Sequence, residues 1–251
     1  MNGKIAFCRV SIAPIRAEKK DQAEIVSQLL FGELFTIETV DDNWTKITTL
    51  FDGYEGWIDT KHFSTISEKE AKKWMDEHST SYNLTSVLET PWGKQTIVRG
   101  SYISGVSNQF NIGKYPFTIL EKEDLEVPKS IYETALSYLN APYLWGGKSP
   151  FGIDCSGFSQ LIYRFHDINI PRDASQQIEL GREIEFDEQE EGDLAFFHNA
   201  TGKIIHVGIL DGKGNIIHAS GCVRIDKLTK EGIINVNDQN LTHHLNCIKR
   251  Y

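Results

Sequence analysis

The sequence predicts an α+β protein, with small β-barrels in front and a domain behind them whose helices precede its strands. Three observations lead there. Short β-branched and aromatic runs alternate with turn signals over the first half of the chain, a capped helical segment begins at Ser130, and the stretch after "DASQQIELG" reads as strands to the C-terminus.

In residues 5–65 the runs "LFTIETV", "WTKITTL" and "YEGWI" are separated by turn signals at Gly32-Glu33, Asp41-Asp42-Asn43 and Asp52-Gly53. That close spacing predicts a small barrel over residues 1–66. The polar segment "STISEKEAKKWMDEHSTS" follows as a connector with a helical turn or two. From about Tyr82 to Leu120 a weaker β pattern, punctuated by Gly93, Gly100, Gly105 and Gly113, predicts a second module, so that connector and module occupy 67–126. Residues 127–251 form the remaining domain. In "PKSIYETALSYLN", Ser130 with Glu133 is a capping-box signature, Ile131, Ala135 and Leu139 recur at helical spacing, and Asn140-Ala141-Pro142 ends the helix.

The segment "YLWGGKSPFGIDCSGFSQLIYRF", residues 143–165, places Cys155 between Asp154 and Ser156-Gly157. Phe158, Leu161, Ile162 and Phe165 follow at i, i+3, i+4 and i+7, one buried helical stripe. Cys155 therefore falls in the first turn, where unpaired N–H groups and the helix dipole favour an anion. A thiol there is expected to shift toward thiolate, and the same N–H groups could hold an oxyanion. The bland reading of the same cysteine is a small buried hydrophobe.

"HVGILDGKGNIIHAS" reads as a β-hairpin with His206 on one strand and His218 on the other. A three-residue loop, Asp211 to Lys213, sets the two directly opposite. A five-residue loop, Asp211 to Asn215, makes them diagonal neighbours. Either odd length puts both rings on one face, with Cβ atoms roughly 5–8 Å apart. A cysteine at a helix N-terminus, one histidine as base and another to orient it follow the logic of a cysteine hydrolase. Unrelated polar residues on a half-exposed sheet, or a zinc site of Cys155, His206 and His218, are the other readings of the same spacing.

Other features exclude more than they assign. "GGKS" at Gly146 to Ser149 is no P-loop, because the first glycine would fall at Pro142, and Gly181 reads as a helix C-cap. The net charge is −9, without the basic stripe that a nucleic-acid partner requires. No apolar run is long enough to span a bilayer, so no membrane partner is expected. Arg9 interrupts the short apolar patch Ile5 to Cys8, so no secretory signal is read and a cytoplasmic location is expected. Cys8, Cys155, Cys222 and Cys247 make neither a CxxC pair nor a disulfide framework, and Cys8 and Cys247 read as filler.

Together "YLWGG…DCSGF", "HVGI" and "IIHASG" resemble the NlpC/P60 family of papain-like cysteine peptidases, which cut bacterial cell-wall peptides. In that order, 51 positions separate Cys155 from His206 and 12 separate His206 from His218. The resemblance covers roughly residues 127–251 and implies Cys155 as nucleophile, His206 as general base and acid, and His218 as the third polar residue, with no metal or cofactor. The β-rich front half resembles the bacterial SH3-type modules that precede this catalytic domain.

The layout is similar to the γ-D-glutamyl-L-diamino acid endopeptidases of cell-wall recycling. Their partner is a small peptide, L-Ala-γ-D-Glu-diamino acid, with a free alanine amine. By that resemblance Asp173 of "PRDASQQ" would meet the amine, although Ala174 stands where the group has serine. Tyr143 would line the active site, Asp154 and Ser156 beside the cysteine are further substrate-contact candidates, and Glu33 and Tyr54 would close the amine end. Asp173 is also a good helix N-cap for "ASQQIEL". An amidase or acyltransferase on the same scaffold, or an idle wall-peptide binding protein, are the alternatives.

Overall fold

The computed structural model describes residues 3–123 and 125–251, which fall into two compact units. Residues up to Glu126 together with Gly146–Pro150 make the first; Val127–Trp145 and Phe151–Tyr251 make the second.

In the first unit, strands β1 (Ile5–Cys8), β2 (Ile12–Arg16), β3 (Ile25–Leu30), β4 (Leu34–Asp41), β5 (Trp44–Thr49), β6 (Glu55–Asp59) and β7 (Phe63–Ile66) form an antiparallel sheet in the order β3-β2-β6-β5-β4-β1-β7. Strict alternation on β5 turns Thr45, Ile47 and Thr49 inward while Trp44, Lys46 and Thr48 stay partly exposed, the pattern of a sheet buried on one face. Ala6, Ala13, Ile15, Leu29, Phe35, Ile37, Ile47 and Ile58 fill that face.

The connector is more helical than its sequence led us to expect. Helix α1 (Glu68–Glu77) runs ten residues, opened by a full capping box between Ser67 and Glu70. After it come β8 (His78–Thr80), β9 (Thr85–Thr90), β10 (Gly93–Val98), β11 (Tyr102–Ser104), β12 (Gln109–Ile112) and β13 (Tyr115–Glu121), arranged as a four-stranded sheet β10-β9-β13-β12 and a ribbon β11-β8. The expected division at residue 66 is not a break in packing. Phe7, Phe31 and Leu34 share one core with Trp74, Leu88, Ile97 and Phe117, and the Trp74 indole N–H donates to Gly32 O at 2.9 Å. Gly32 has φ +83°, and a Cβ there would lie 2.7 Å from Tyr102 O, so this turn requires glycine.

The five residues Gly146–Pro150, expected in the C-terminal domain, belong instead to the first unit. Their strand β14 (Lys148–Ser149) packs against β3. The Lys148 backbone N–H donates to Gln28 Oε1 at 2.8 Å, and its ammonium lies 3.1 Å from Glu33 Oε1, both side chains buried.

The second unit begins with α2 (Ile131–Leu136), capped by Ser130, whose hydroxyl accepts from the Glu133 N–H at 3.2 Å. It stops short of the expected length. Leu139 lies beyond the helix end and is exposed, and Asn140 turns the chain at φ +66°. Strand β15 (Gly152–Ile153) leads into α3 (Cys155–Arg164), followed by α4 (Ala174–Gln177). All ten residues of α3 are buried, more than the single apolar stripe demanded. Phe158, Leu161 and Ile162 are fully enclosed, each contributing about 1.5–3 kcal/mol.

Strands β16 (Arg182–Ile184), β17 (Glu191–His198), β18 (Ile204–Asp211), β19 (Asn215–Ser220), β20 (Cys222–Leu228), β21 (Gly232–Ile234) and β22 (Leu241–Arg250) complete the unit in the order β16-β22-β17-β18-β19-β20-β21. Because β21 pairs with both β20 and β22, strands β17–β22 close into a six-stranded antiparallel barrel, which leaves no free edge among them. Ala195, Phe197, Leu210, Ile216, Leu228, Ile233 and Ile248 form its core. Helix α3 packs against β18 and β19, the strands that carry His206 and His218.

Candidate active site

Asp154 is the N-cap of α3: its Oδ1 accepts from the Gly157 N–H at 2.7 Å. Cys155 is therefore the first helical residue, 6 % exposed. The entrance is held by the segment that follows α3. Arg172, fully buried, donates to Asp154 Oδ1 at 3.0 Å, to Asp154 Oδ2 at 2.7 Å and to the Ser156 hydroxyl at 2.9 Å. The Gln177 amide donates to Ser156 O at 3.0 Å and Pro171 O at 2.8 Å. Asp154 and Ser156, expected to touch substrate, thus direct their side chains to Arg172. A bidentate fork of this kind fixes geometry as well as charge.

The hairpin takes the longer of the two loops considered. Ile209 pairs with Ile217 and Leu210 with Ile216, so His206 and His218 are diagonal neighbours on one face. His206 Nε2 lies 2.7 Å from His218 Nδ1, with the ring planes at 81°. On the far side, His218 Nε2 is 3.0 Å from Asp226 Oδ2 on β20. Asp226 Oδ1 accepts from the Val236 N–H at 3.0 Å and from Arg224 Nη2 at 2.9 Å, and Arg224 Nε stands 2.8 Å from Oδ2. His243 of β22 stacks on His206 with ring centroids 4.2 Å apart.

Gly208 makes room for this arrangement. A Cβ there would lie 2.6 Å from Ile216 and 2.8 Å from the His218 Cβ. Gly208→Ala is expected to lower stability by about 1–3 kcal/mol and to displace His218, read as an earlier denaturant midpoint; an unchanged midpoint would contradict the packing described.

The electrostatics correct one sequence expectation. Burial, reinforced by the neighbouring Asp154 charge, pushes the Cys155 thiol up to about 12, although backbone hydrogen bonds from Val207 and Ser156 and the Arg172 charge pull the other way. The cost of desolvating a thiolate exceeds what the helix N-terminus returns. The resting cysteine is a neutral thiol, so it needs a base. Burial, with His218 and His243 nearby, holds His206 well below the ordinary 6.5, so His206 is neutral and able to accept a proton. Burial and then Cys155 and Asp154 raise the Tyr143 hydroxyl to about 12, keeping it an O–H donor beside the thiol. At Asp226 burial acts upward, but hydrogen bonds from His218, Val236 and Arg224 prevail and hold the carboxyl at about 2.

His243 is likewise lowered by burial and by His218, to about 4, and burial lowers His62 and His166. Histidines that stay neutral in the fold while the unfolded chain takes up protons make stability fall with pH. Their contribution is full above the unfolded value near 6.5 and declines as pH drops toward 4. Denaturant unfolding between about pH 7.5 and about pH 4.5 should show a steady fall in midpoint; a flat profile would overturn these assignments.

The remaining candidates sit as follows. Tyr143 is half-buried in the second unit, its N–H donating to Gly221 O at 3.0 Å. Asp173 is the N-cap residue of α4, half-buried rather than enclosed, with its N–H 3.4 Å from Gln176 Oε1. Glu33 and Tyr54 lie in the first unit and line one small cavity there. The Glu33 carboxylate accepts from the Leu30 N–H at 2.9 Å and pairs with Lys148. As for the zinc reading, among the described residues no group of three or more His, Cys, Asp or Glu is placed to hold a metal ion; His206 and His218 face each other in a hydrogen bond instead of converging on a common point.

Arg172, Gln177, Asp226, Arg224 and His243 were not anticipated. Asp226 was within reach: with Gly221 taken as the turn, His218 pairs with Arg224, and Asp226 becomes the next residue on the same face.

A buried cysteine opening a helix, packed on an antiparallel barrel whose strands carry a His–His–Asp chain, defines a papain-like cysteine hydrolase. Residues 140–241 match the NlpC/P60 family and residues 15–63 the bacterial dipeptidyl-peptidase Sh3 domain. The chain carries an NlpC/P60 cysteine peptidase domain preceded by a bacterial SH3 domain. It is similar to the gamma-D-glutamyl-L-lysine dipeptidyl-peptidase of Bacillus subtilis (strain 168), 29 % identical over 217 residues that cover 78 % of this chain and 72 % of the relative. It is also similar to dipeptidyl-peptidase 6 of Lysinibacillus sphaericus, 29 % identical over 241 residues, 83 % of this chain and 85 % of the relative. In fold it matches the crystal structure of an NlpC/P60 family protein from Bacillus cereus ATCC 10987, with a TM-score of 0.79, 22 % identity and 99 % of each chain covered.

Proposed function

We infer that this peptidase hydrolyses the bond between γ-D-glutamate and a diamino acid, L-lysine or meso-diaminopimelate, in small cell-wall peptides with a free N-terminal L-alanine, as in murein peptide recycling. The observation that carries the reading is the chain from His206 through His218, set on the strands against which the helix of Cys155 packs. The names of the two relatives supply the substrate class.

With Nε2 of His206 directed to His218, Nδ1 is the nitrogen left for the thiol. His206 takes the Cys155 proton as sulfur attacks the γ-carbonyl of D-glutamate. Backbone N–H groups at the start of α3 and the Tyr143 hydroxyl stabilise the oxyanion. His206 then returns the proton to the departing amine of the diamino acid. Water, deprotonated by His206, cleaves the thioester and releases L-Ala-D-Glu. His218 keeps the His206 ring in position.

We assign recognition of the alanine amine to Asp173, as the family resemblance implies. The test is mass spectrometry of L-Ala-γ-D-Glu-L-Lys, its diaminopimelate counterpart, and the same peptides acetylated on alanine. Release of L-Ala-D-Glu from the free-amine peptides, with the acetylated ones cut at least about tenfold more slowly for want of a partner to the carboxylate, is the expected result. Equal cleavage of both forms would remove Asp173 from its role; cleavage of neither would overturn the substrate.

A further inference from the structure

Beyond Cys155 and the two histidines, the barrel holds a carboxylate that touches neither the thiol nor its base. We propose that Asp226 is a positioning residue that sets the direction of every proton in the His206–His218 relay, so that the bare nitrogen of His206 faces Cys155. The proposal rests on the nucleophile and base assigned above.

With both rings neutral, the direction follows from donors and acceptors. An ionised carboxylate only accepts, so the 3.0 Å contact at Asp226 Oδ2 requires a proton on His218 Nε2. A neutral imidazole carries one proton, which leaves His218 Nδ1 an acceptor. The 2.7 Å contact with His206 must then be donated by His206 Nε2, and His206 Nδ1 is left with its lone pair for the thiol. When His206 takes the thiol proton, the bridging proton can pass to His218 Nδ1, so that the cation forms beside the buried carboxylate. Arg224 and the Val236 N–H hold that carboxylate in place, and Asn235 Oδ1 in turn accepts from Arg224 Nη2 at 3.1 Å.

The surroundings also fix what an amide would do at this position. Two donors, Arg224 Nη2 and the Val236 N–H, hydrogen-bond Oδ1, whereas Arg224 Nε, 2.8 Å from Oδ2, makes no hydrogen bond there. In Asp226→Asn the amide oxygen therefore takes the Oδ1 position, and its NH2 is turned toward His218 Nε2. That nitrogen must then accept, His218 Nδ1 carries the proton and donates to His206 Nε2, and the His206 proton moves to Nδ1, the side of the thiol. The isosteric variant reverses the relay. Asp226→Ala removes the acceptor without supplying a donor and leaves the tautomer free.

The experiment measures two rates at neutral pH for wild type, Asp226→Ala and Asp226→Asn: cleavage of L-Ala-γ-D-Glu-L-Lys and alkylation of Cys155 by iodoacetamide, read by peptide mass. Asparagine should be the worse replacement, with kcat down roughly 10²- to 10³-fold against about tenfold for alanine, KM little changed, and alkylation slowed in the same order. A merely structural carboxylate predicts the opposite order, because asparagine keeps the shape. Asparagine as good as or better than alanine overturns the proposal. If wild type leaves the peptide uncut while the alkylation order holds, the substrate assignment fails and the relay stands. Nitrogen NMR of the wild-type histidines needs no variant. Protons on Nε2 of both His206 and His218 support the proposal, and a proton on Nδ1 of either overturns it.

Discussion

Cys155→Ala is expected to remove peptide hydrolysis, by about 10⁴-fold or more, because a nucleophile, unlike a binding contact, cannot be partly replaced by its neighbours. The side chain is small and 6 % exposed, so its loss should alter stability by no more than about 1 kcal/mol. Thermal melting beside product analysis separates the two effects. None of the other three cysteines opens a helix. Cys8 is buried in the first unit, where desolvation raises its thiol strongly; Cys222 and Cys247 lie on strands of the barrel. A Cys155→Ala protein with substantial turnover and an intact fold would end the assignment.

Arg172→Ala should have the largest effect on stability. Arg172 is 1 % exposed and Asp154 5 %; removing the guanidinium strands a carboxylate inside the protein. Breaking such a pair from one side costs about 3–5 kcal/mol, a large part of the roughly 5–15 kcal/mol that holds a domain together. The loss also bears on chemistry, since Asp154 immediately precedes Cys155 and caps its helix. Arg172→Lys should recover part of the stability but not the fork, because one ammonium cannot serve both carboxylate oxygens and the Ser156 hydroxyl in the same geometry. Denaturant unfolding would show it. A loss below about 1 kcal/mol would mean that the pair is no better than one at the surface.

Local signals in the chain were readable where short-range physics decides them. The β5 alternation, the Ser130 cap and the stripe Phe158, Leu161, Ile162 each reflect one period or one hydrogen bond, and each element formed. Ser67 and Glu70 carried the same capping signature, with Ala71 and Trp74 behind it on the buried face, so the ten-residue length of α1 could have been read. His206 and His218 were placed on one face by loop parity alone, although parity could not choose between the two loops.

What stayed hidden depends on contacts distant in sequence. Arg172 reads as a surface arginine until α3 and α4 are brought together around it. The shared core of Phe31 and Phe117 joins residues far apart in the chain, and no local pattern shows it. The thiol expectation failed for the same reason: helix position is visible in sequence, but the burial that dominates the cysteine is not.

The central claim, that Cys155 attacks the γ-carbonyl of D-glutamate, is tested most directly by trapping the thioester. The protein is mixed with L-Ala-γ-D-Glu-L-Lys, quenched in acid within the first turnover, digested and analysed by mass spectrometry. The expected result is an L-Ala-γ-D-Glu acyl group on the peptide that contains Cys155, transient in wild type and absent from Cys155→Ala. Product formation with no acyl group on that peptide, or with the group on another residue, would contradict it.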